Sequence, residues 1–289
     1  MEVIRVTAPA KVNLFLAITG RRPDGFHELE TIFQAVDLCD TIELKLQPAG
    51  ITLECDWPDL PVDENNLCWK AAALLLEKTS IAAGVALRLQ KQIPPGAGLG
   101  GGSSDAAATL LGLNQLWELN LSPGQLQAYA TQLGADVPFF LRGGTAVGKA
   151  RGETLSAIST PDLWFVIAWP GKILSTAAVY KAWDEQPAGS AVSLQQMLDA
   201  LQGRPSQHIA KLLRNDLEAA AIKLYPACAK LKKELLEAGC LGALVSGSGS
   251  AVFGLAGSEH QAHDITAQFS HRHNLWMRIA RSISTGAAK

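Results

Sequence analysis

Apolar residues alternate with polar ones at the start of the chain, and residues 2–8 and 11–18 read as two strands, the second closed by a turn at Gly20. Strands at 41–47 and 51–55 follow, joined by a turn containing Pro48 and Gly50. From 66 to 79 the period changes, with apolar positions 67, 71, 74 and 75 forming one stripe of a helix. A strand at 85–90 leads into a loop over 94–102, where five of nine residues are glycine. A helix at 103–117, with a serine at its N-cap, comes next. Another opens on Ser122-Pro123-Gly124-Gln125, a capping box with proline at the first helical position. The second half predicts strands near 145–149 and 163–169, then helices near 175–183, 193–202, 215–224 and 226–238. Short strands at 241–246 and 250–256 flank Gly247-Ser248-Gly249, and a helix at 259–269 and a strand at 275–281 complete the pattern. Without regular βαβ alternation the class is α+β. The stretch 152–161 is the expected boundary, giving domains 1–159 and 160–289.

Composition narrows the class. With 289 residues, 48% hydrophobic and 18% charged, the chain has ample material for a core. The formal charge of −2, without a basic cluster, excludes a nucleic-acid or anionic-membrane partner. The five cysteines are widely spaced, with no CxxC, which speaks against disulfide frameworks and zinc. The N-terminus has no secretory pattern, and the longest apolar runs are too short for a bilayer. The expectation is a cytoplasmic, or plastid-stroma-like, protein with no protein-held metal, monomeric or weakly dimeric.

The loop Pro94-Pro95-Gly96-Ala97-Gly98-Leu99-Gly100-Gly101-Gly102-Ser103-Ser104 lies between a strand and a helix. Dense glycine lets backbone N–H groups converge on an anion, and the following helix aims its positive end at the same spot. A flexible surface loop is the plain alternative. Gly96-x-Gly98-x-x-Gly101 has dinucleotide-binding spacing but lacks the βαβαβ setting. Gly143-x-x-x-x-Gly148-Lys149 misses a P-loop because Ala150 stands at the Ser/Thr position and no helix follows.

If the anion is a nucleotide's phosphate tail, transfer to a hydroxyl calls for a carboxylate and a cation beside the loop. Asp136, in Leu133-Gly134-Ala135-Asp136-Val137-Pro138-Phe139-Phe140, is the candidate carboxylate, with a helix cap or turn as its alternative. Lys11 and Asn13 share one face of a strand, either toward a partner or toward solvent. The turn Gly20-Arg21-Arg22-Pro23-Asp24-Gly25-Phe26-His27 gathers basic, aromatic and imidazole groups, suited to a base or merely a polar hairpin tip. The remaining histidines read as surface residues.

Together these segments resemble the GHMP kinase superfamily of galacto-, homoserine, mevalonate and phosphomevalonate kinases. The resemblance rests on Pro9-Ala10-Lys11-Val12-Asn13-Leu14 running on to Leu29, Pro95 through Ala107, Leu133 through Pro138, and Ser246-Gly247-Ser248-Gly249. The first motif is most similar to the branch acting on 4-diphosphocytidyl-2-C-methyl-D-erythritol. The resemblance implies an N-terminal domain like ribosomal protein S5 domain 2, a ferredoxin-like C-terminal domain, and ATP with Mg²⁺ as cofactors. It also implies Asp136 as base, Lys11 stabilising charge, and Pro95, Gly96, Ala97, Gly98, Leu99, Gly100, Gly101, Gly102, Ser103 and Ser104 around the phosphates. Asn66 and Lys91 would lie at the adenine, Asn13, Gly247 and Ser248 at the substrate, Phe26 and Tyr180 on either side of the cytosine, and His27 at its edge. Asp105, beside the cradle, must turn away or meet magnesium through water. Another GHMP kinase, a dinucleotide oxidoreductase and a non-catalytic nucleotide-binding module are the competing readings.

Overall fold

The protein, seen as a computed structural model, is described over residues 3–187 and 189–283; residue 2, where the first expected strand begins, lies outside them. In the first half the elements are β1 (Val3–Arg21), β2 (His27–Gln47), β3 (Ile51–Cys55), α1 (Leu67–Thr79), β4 (Gly84–Gln90), α2 (Gly101–Leu116), α3 (Pro123–Leu133), α4 (Val137–Arg142), β5 (Thr145–Ala150) and β6 (Thr154–Ile158). The second half carries β7 (Trp164–Trp169), α5 (Thr176–Glu185), α6 (Leu194–Leu201), α7 (Ser206–Lys211), β8 (Arg214–Asn215), α8 (Glu218–Leu224), α9 (Ala227–Glu237), β9 (Gly242–Val245), β10 (Val252–Ala256), α10 (Glu259–Ala267) and β11 (Trp276–Arg281).

The two expected N-terminal strands are one. β1 continues through Pro9, and its pairing with antiparallel β2 shifts register between Pro9 and Ala10, the sort of irregularity at which a strand accommodates proline. The first part of β2 escaped the pattern because residues 31–36 are all buried, which erases the period of two. β2 then forks: residues 41–47 pair with β4, and 29–34 pair with β5. The first sheet runs β3-β4-β2-β1-β8, with β5 and β6 continuing beside β2. β6 occupies the expected boundary stretch, so the chain leaves this sheet after Ile158 and enters the second at Trp164.

The second sheet is antiparallel, in the order β11-β7-β10-β9. Counted along the chain its strands lie 4-1-3-2, with helices in both crossovers, which is the ferredoxin-like arrangement. Residues from both sheets, among them Val12, Leu14, Ile32, Phe165, Ile167 and Phe253, form one buried cluster between them. No helix among the described residues is long and apolar enough to cross a membrane.

Local chemistry explains the helix ends. The capping box at α3 forms as expected: Ser122 Oγ accepts from Gln125 N, and Gln125 Oε1 accepts from Ser122 N. The expected serine cap of α2 does not form; Gly100, at φ +73°, holds the N-cap, and the helix starts directly from the loop. No adjacent parallel strand follows α2, which leads into α3 and α4, so the dinucleotide-binding topology is absent. α4 is too short for periodicity to reveal. It is held by burial of Phe139 and Phe140; the Phe139 ring centroid lies 5.0 Å from that of Phe33, and Phe140 packs beneath Gly100. Phe140→Ala is expected to cost about 3–5 kcal/mol, measured as a lower urea midpoint against wild type.

Candidate active site

Between β4 and α2 the glycines at 96, 98 and 100 adopt φ of +60°, +81° and +73°, while Ala97 and Leu99 between them are buried. The alternation drives two apolar side chains inward and leaves backbone facing out. At Gly98 no side chain fits, because a Cβ would stand 2.0 Å from the Ser246 carbonyl oxygen. Three successive carbonyls are tied into the protein. Ala97 O accepts from Ala251 N at 2.9 Å, Gly98 O from Lys11 Nζ and Ser246 Oγ, each at 2.9 Å, and Leu99 O from Lys11 N at 2.9 Å. Planarity turns the N–H of each of those peptides away from its carbonyl. The N–H groups of the first turn of α2 lack helical partners as well. Such amides at the positive end of a helix suit a multiply charged anion.

Lys11 is only 4% exposed. Its ammonium donates to Asn13 Oδ1 at 2.6 Å and to Gly98 O at 2.9 Å, using two of its three protons. Asn13 donates to Thr31 Oγ1 at 2.9 Å, and Thr31 donates to the Phe15 carbonyl at 2.7 Å, which fixes the amide. Burial lowers the lysine's pKa, and the charge of Asp136 opposes that shift. Asp136 stands at the N-cap of α4, the position a capping residue would take, yet its side chain caps no amide. Burial raises the Tyr180 phenol, and Asp136 adds to the effect. From the second sheet, Gly247 closes on the same point: a Cβ there would lie 3.2 Å from both Lys11 Nζ and Asn13 Oδ1. An amide cradle, a buried ammonium and a carboxylate that caps nothing can hold phosphates, offset their charge and accept a hydroxyl proton.

The comparisons agree with this chemistry. The family described as GHMP kinases N terminal domain matches residues 66–144, and the one described as GHMP kinases C terminal matches 197–274. A 4-diphosphocytidyl-2-C-methyl-D-erythritol kinase of Pelotomaculum thermopropionicum is 44% identical over 269 residues, covering 92% of this chain and 94% of its own. One from Synechococcus sp. strain JA-3-3Ab is 42% identical over 280 residues, 94% and 91% of the two chains. A crystal structure of 4-(cytidine 5'-diphospho)-2C-methyl-D-erythritol kinase matches with a TM-score of 0.79 at 36% identity, over 96% of this chain and 99% of that one. The chain belongs to the 4-diphosphocytidyl-2-C-methyl-D-erythritol kinase family of GHMP kinases. It has the two-domain GHMP kinase fold and is a kinase that uses ATP.

In this GHMP kinase several expected site residues have other work. Lys91, expected at the adenine, is enclosed beneath the loop, its ammonium bound to Asp40 and, at 2.7 Å, to Asp105 Oδ2. Asp40 Oδ1 also accepts from Gln92 N at 2.6 Å and Ile93 N at 2.9 Å, so the trio braces the start of the loop against α2. Asp105 has therefore turned away from the cradle. Asn66 caps α1, accepting from Cys68 N at 2.9 Å and donating to Pro61 O at 2.8 Å. Ser104 is fully buried with its hydroxyl unpartnered, which leaves half-buried Ser103 as the loop's accessible hydroxyl.

The hairpin tip brings His27 against α5 and leaves the Phe26 ring exposed. Phe26 is 54% exposed under the Arg151 guanidinium, 5.2 Å from the ring centroid. The His27 ring stacks on Tyr180, with centroids 4.8 Å apart and planes at 21°. His27 also meets the edge of Trp183 at 5.5 Å, and its Nε2 donates to Asp184 Oδ1 at 2.7 Å. Tyr180, Trp183 and Asp184 share one face of α5. Ser248 Oγ lies 3.0 Å from Thr176 Oγ1 at the start of that helix. Asp40, Thr31 and Asp184 were not among the sequence candidates, and Ser246 was there as a motif residue without a role. Only Ser246, inside a glycine-serine motif, carried a local signal.

Burial, with Asp40 adding to it, pushes the Asp105 carboxyl up to about 8 from an ordinary 3.8, against the pull of Lys91. The folded chain then keeps this proton up to about pH 8, whereas the unfolded chain loses it above about pH 4. Stability from this group falls as pH rises across that window and levels off above it. Denaturant midpoints measured from pH 5 to pH 9 should show the decline in wild type and a flatter profile in Asp105→Asn.

Proposed function

We propose that the protein transfers the terminal phosphoryl group of ATP to the 2-hydroxyl of 4-diphosphocytidyl-2-C-methyl-D-erythritol, giving the 2-phosphate and ADP in the non-mevalonate (MEP) route to isoprenoid precursors. The observation that carries this reading is the buried Lys11 ammonium, donating to the Gly98 carbonyl of the amide cradle and sensing the charge of Asp136. The high identity to kinases named for this substrate supports the choice of acceptor.

Asp136 acts as the base that takes the 2-hydroxyl proton. Lys11 faces the developing negative charge with the proton that Asn13 and Gly98 leave unused. Residues 96–103 wrap the phosphates with backbone amides after Pro95 turns the chain, Lys91 and Ser104 support that wrapping from behind, and Asn66, the cap of α1, stands on the adenine side. Asn13, Gly247 and Ser248 bound the acceptor. His27, held by Asp184 and Tyr180, and exposed Phe26 form the wall that receives the cytosine. Among the described residues no group of three or more His, Cys, Asp or Glu could hold a metal ion. Magnesium would be carried on the nucleotide's own phosphate oxygens, with the Ser103 hydroxyl and the Asp136 carboxylate as the oxygens this chain would offer it. When bound, it neutralises phosphate charge. The domains are assigned to 1–159 and 160–289, with the site in the cleft between them.

ADP release measured over a panel of the cytidyl compound, mevalonate, homoserine and galactose tests the acceptor. Turnover of mevalonate without turnover of the cytidyl compound would overturn it. Asp136→Asn is expected to lower kcat by roughly 10²–10⁴ while ATP binding, measured by calorimetry, is largely kept; wild-type turnover by that variant would remove Asp136 from its role.

A further inference from the structure

One short segment, Arg214 to Glu218, joins the two halves of the site, and the mechanism above makes no use of it. Its first two residues form β8, which pairs in parallel with Phe15 and Leu16 of β1, the strand that carries Lys11 and Asn13. Asp216 strengthens the attachment: its N–H donates to Leu16 O at 3.0 Å, and its Oδ2 accepts from Ile18 N at 2.9 Å. Arg214 holds that carboxylate through two hydrogen bonds, at 2.8 and 3.0 Å.

The other side of the segment grips the second sheet. Asn215 is buried, and its amide donates to Val245 O at 2.8 Å and to Gly247 O at 2.7 Å while its oxygen accepts from Leu217 N at 3.0 Å. Glu218 Oε1 accepts from Val245 N at 3.1 Å. The two carbonyls bracket Ser246, the residue whose hydroxyl donates to Gly98 O beside Lys11. Gly247, at φ +54°, packs so closely on Lys11 and Asn13 that a Cβ would touch both. Asparagine is the side chain of this length that brings two donors and an acceptor together. Aspartate would set a charge against two carbonyls, and leucine would leave them without a donor.

We propose that Asn215 is a positioning residue for phosphoryl transfer: by holding the Val245 and Gly247 carbonyls it keeps the Ser246–Gly247 turn seated on the Gly98 carbonyl and so fixes the Lys11 ammonium against the cradle. The peptide following Gly247 is planar, so the same grip also fixes the direction of the Ser248 N–H. This rests on the kinase reading, because the geometry being held is that of the phosphoryl-transfer site. Small misplacements there are costly to rate.

The test compares wild type, Asn215→Leu and Asn215→Asp by ADP release with the cytidyl compound, at a temperature well below each protein's Tm. A fall in kcat of about 10- to 100-fold is expected, with KM for ATP moving less than threefold. A merely structural role would lower Tm and leave kcat unchanged, and that result would overturn the proposal. Absence of turnover in wild type would count against the proposed acceptor and not against Asn215. If neither variant folds, hydrogen exchange of the wild-type Asn215 side-chain amide decides: slow exchange of both protons, in the free protein and with a non-hydrolysable ATP analogue, is expected. Rapid exchange in both states would overturn the proposal.

Discussion

The site depends on one carbonyl. Gly98 O accepts from Lys11 Nζ, on the first strand of the chain, and from Ser246 Oγ, nearly one hundred and fifty residues later. Both bonds reach the oxygen only because residue 98 has no side chain and a left-handed backbone. With the oxygen held from both sheets, the loop's peptide planes are turned, and their amides face outward. The proposed anion binding rests on where the carbonyls are committed.

Two lysines flank this loop and are used in opposite ways. Lys91 is enclosed with Asp40 and with Asp105, which keeps its proton at neutral pH, so the ammonium and the Asp40 carboxylate answer one another and hold the backbone between β4 and α2. A buried pair of this kind contributes little net stability, but removing one partner leaves an uncompensated charge. Lys11 is equally buried, yet its acceptors are a neutral amide and a peptide carbonyl. Its charge is stabilised by dipoles and left unneutralised, so it can answer new negative charge arriving on a ligand.

The division of the molecule follows the same logic. The first half of the chain supplies the cradle, the lysine and the carboxylate; the second half supplies the glycine turn and α5, which holds His27. β8 is the strand of the second half that enters the first sheet, and it does so beside the strand bearing Lys11. The cluster between the sheets is apolar and well buried, so the two halves meet as packed surfaces whose relative position is set by side-chain complementarity.

What the sequence determined by itself was local. Glycines at alternate positions between strand and helix, the capping box at Ser122 and Gln125, and the helical stripe of α1 each arise from neighbours within a few residues, where backbone freedom and periodicity act. Lys11, Asn13 and Asp136 could be named as candidates, but each had an equally local alternative as a surface residue or a cap. Tertiary structure decided among them, because burial and partners come from distant chain. It gave Lys91 to Asp40 and Asp105, set His27 on Tyr180, brought Ser246 to the cradle and put Asn215 behind the glycine turn. In the sequence pattern Pro9 split β1 into two strands, and the early part of β2 was hidden because burial on both faces removes the alternation that marks a strand; only the partner strands restore both.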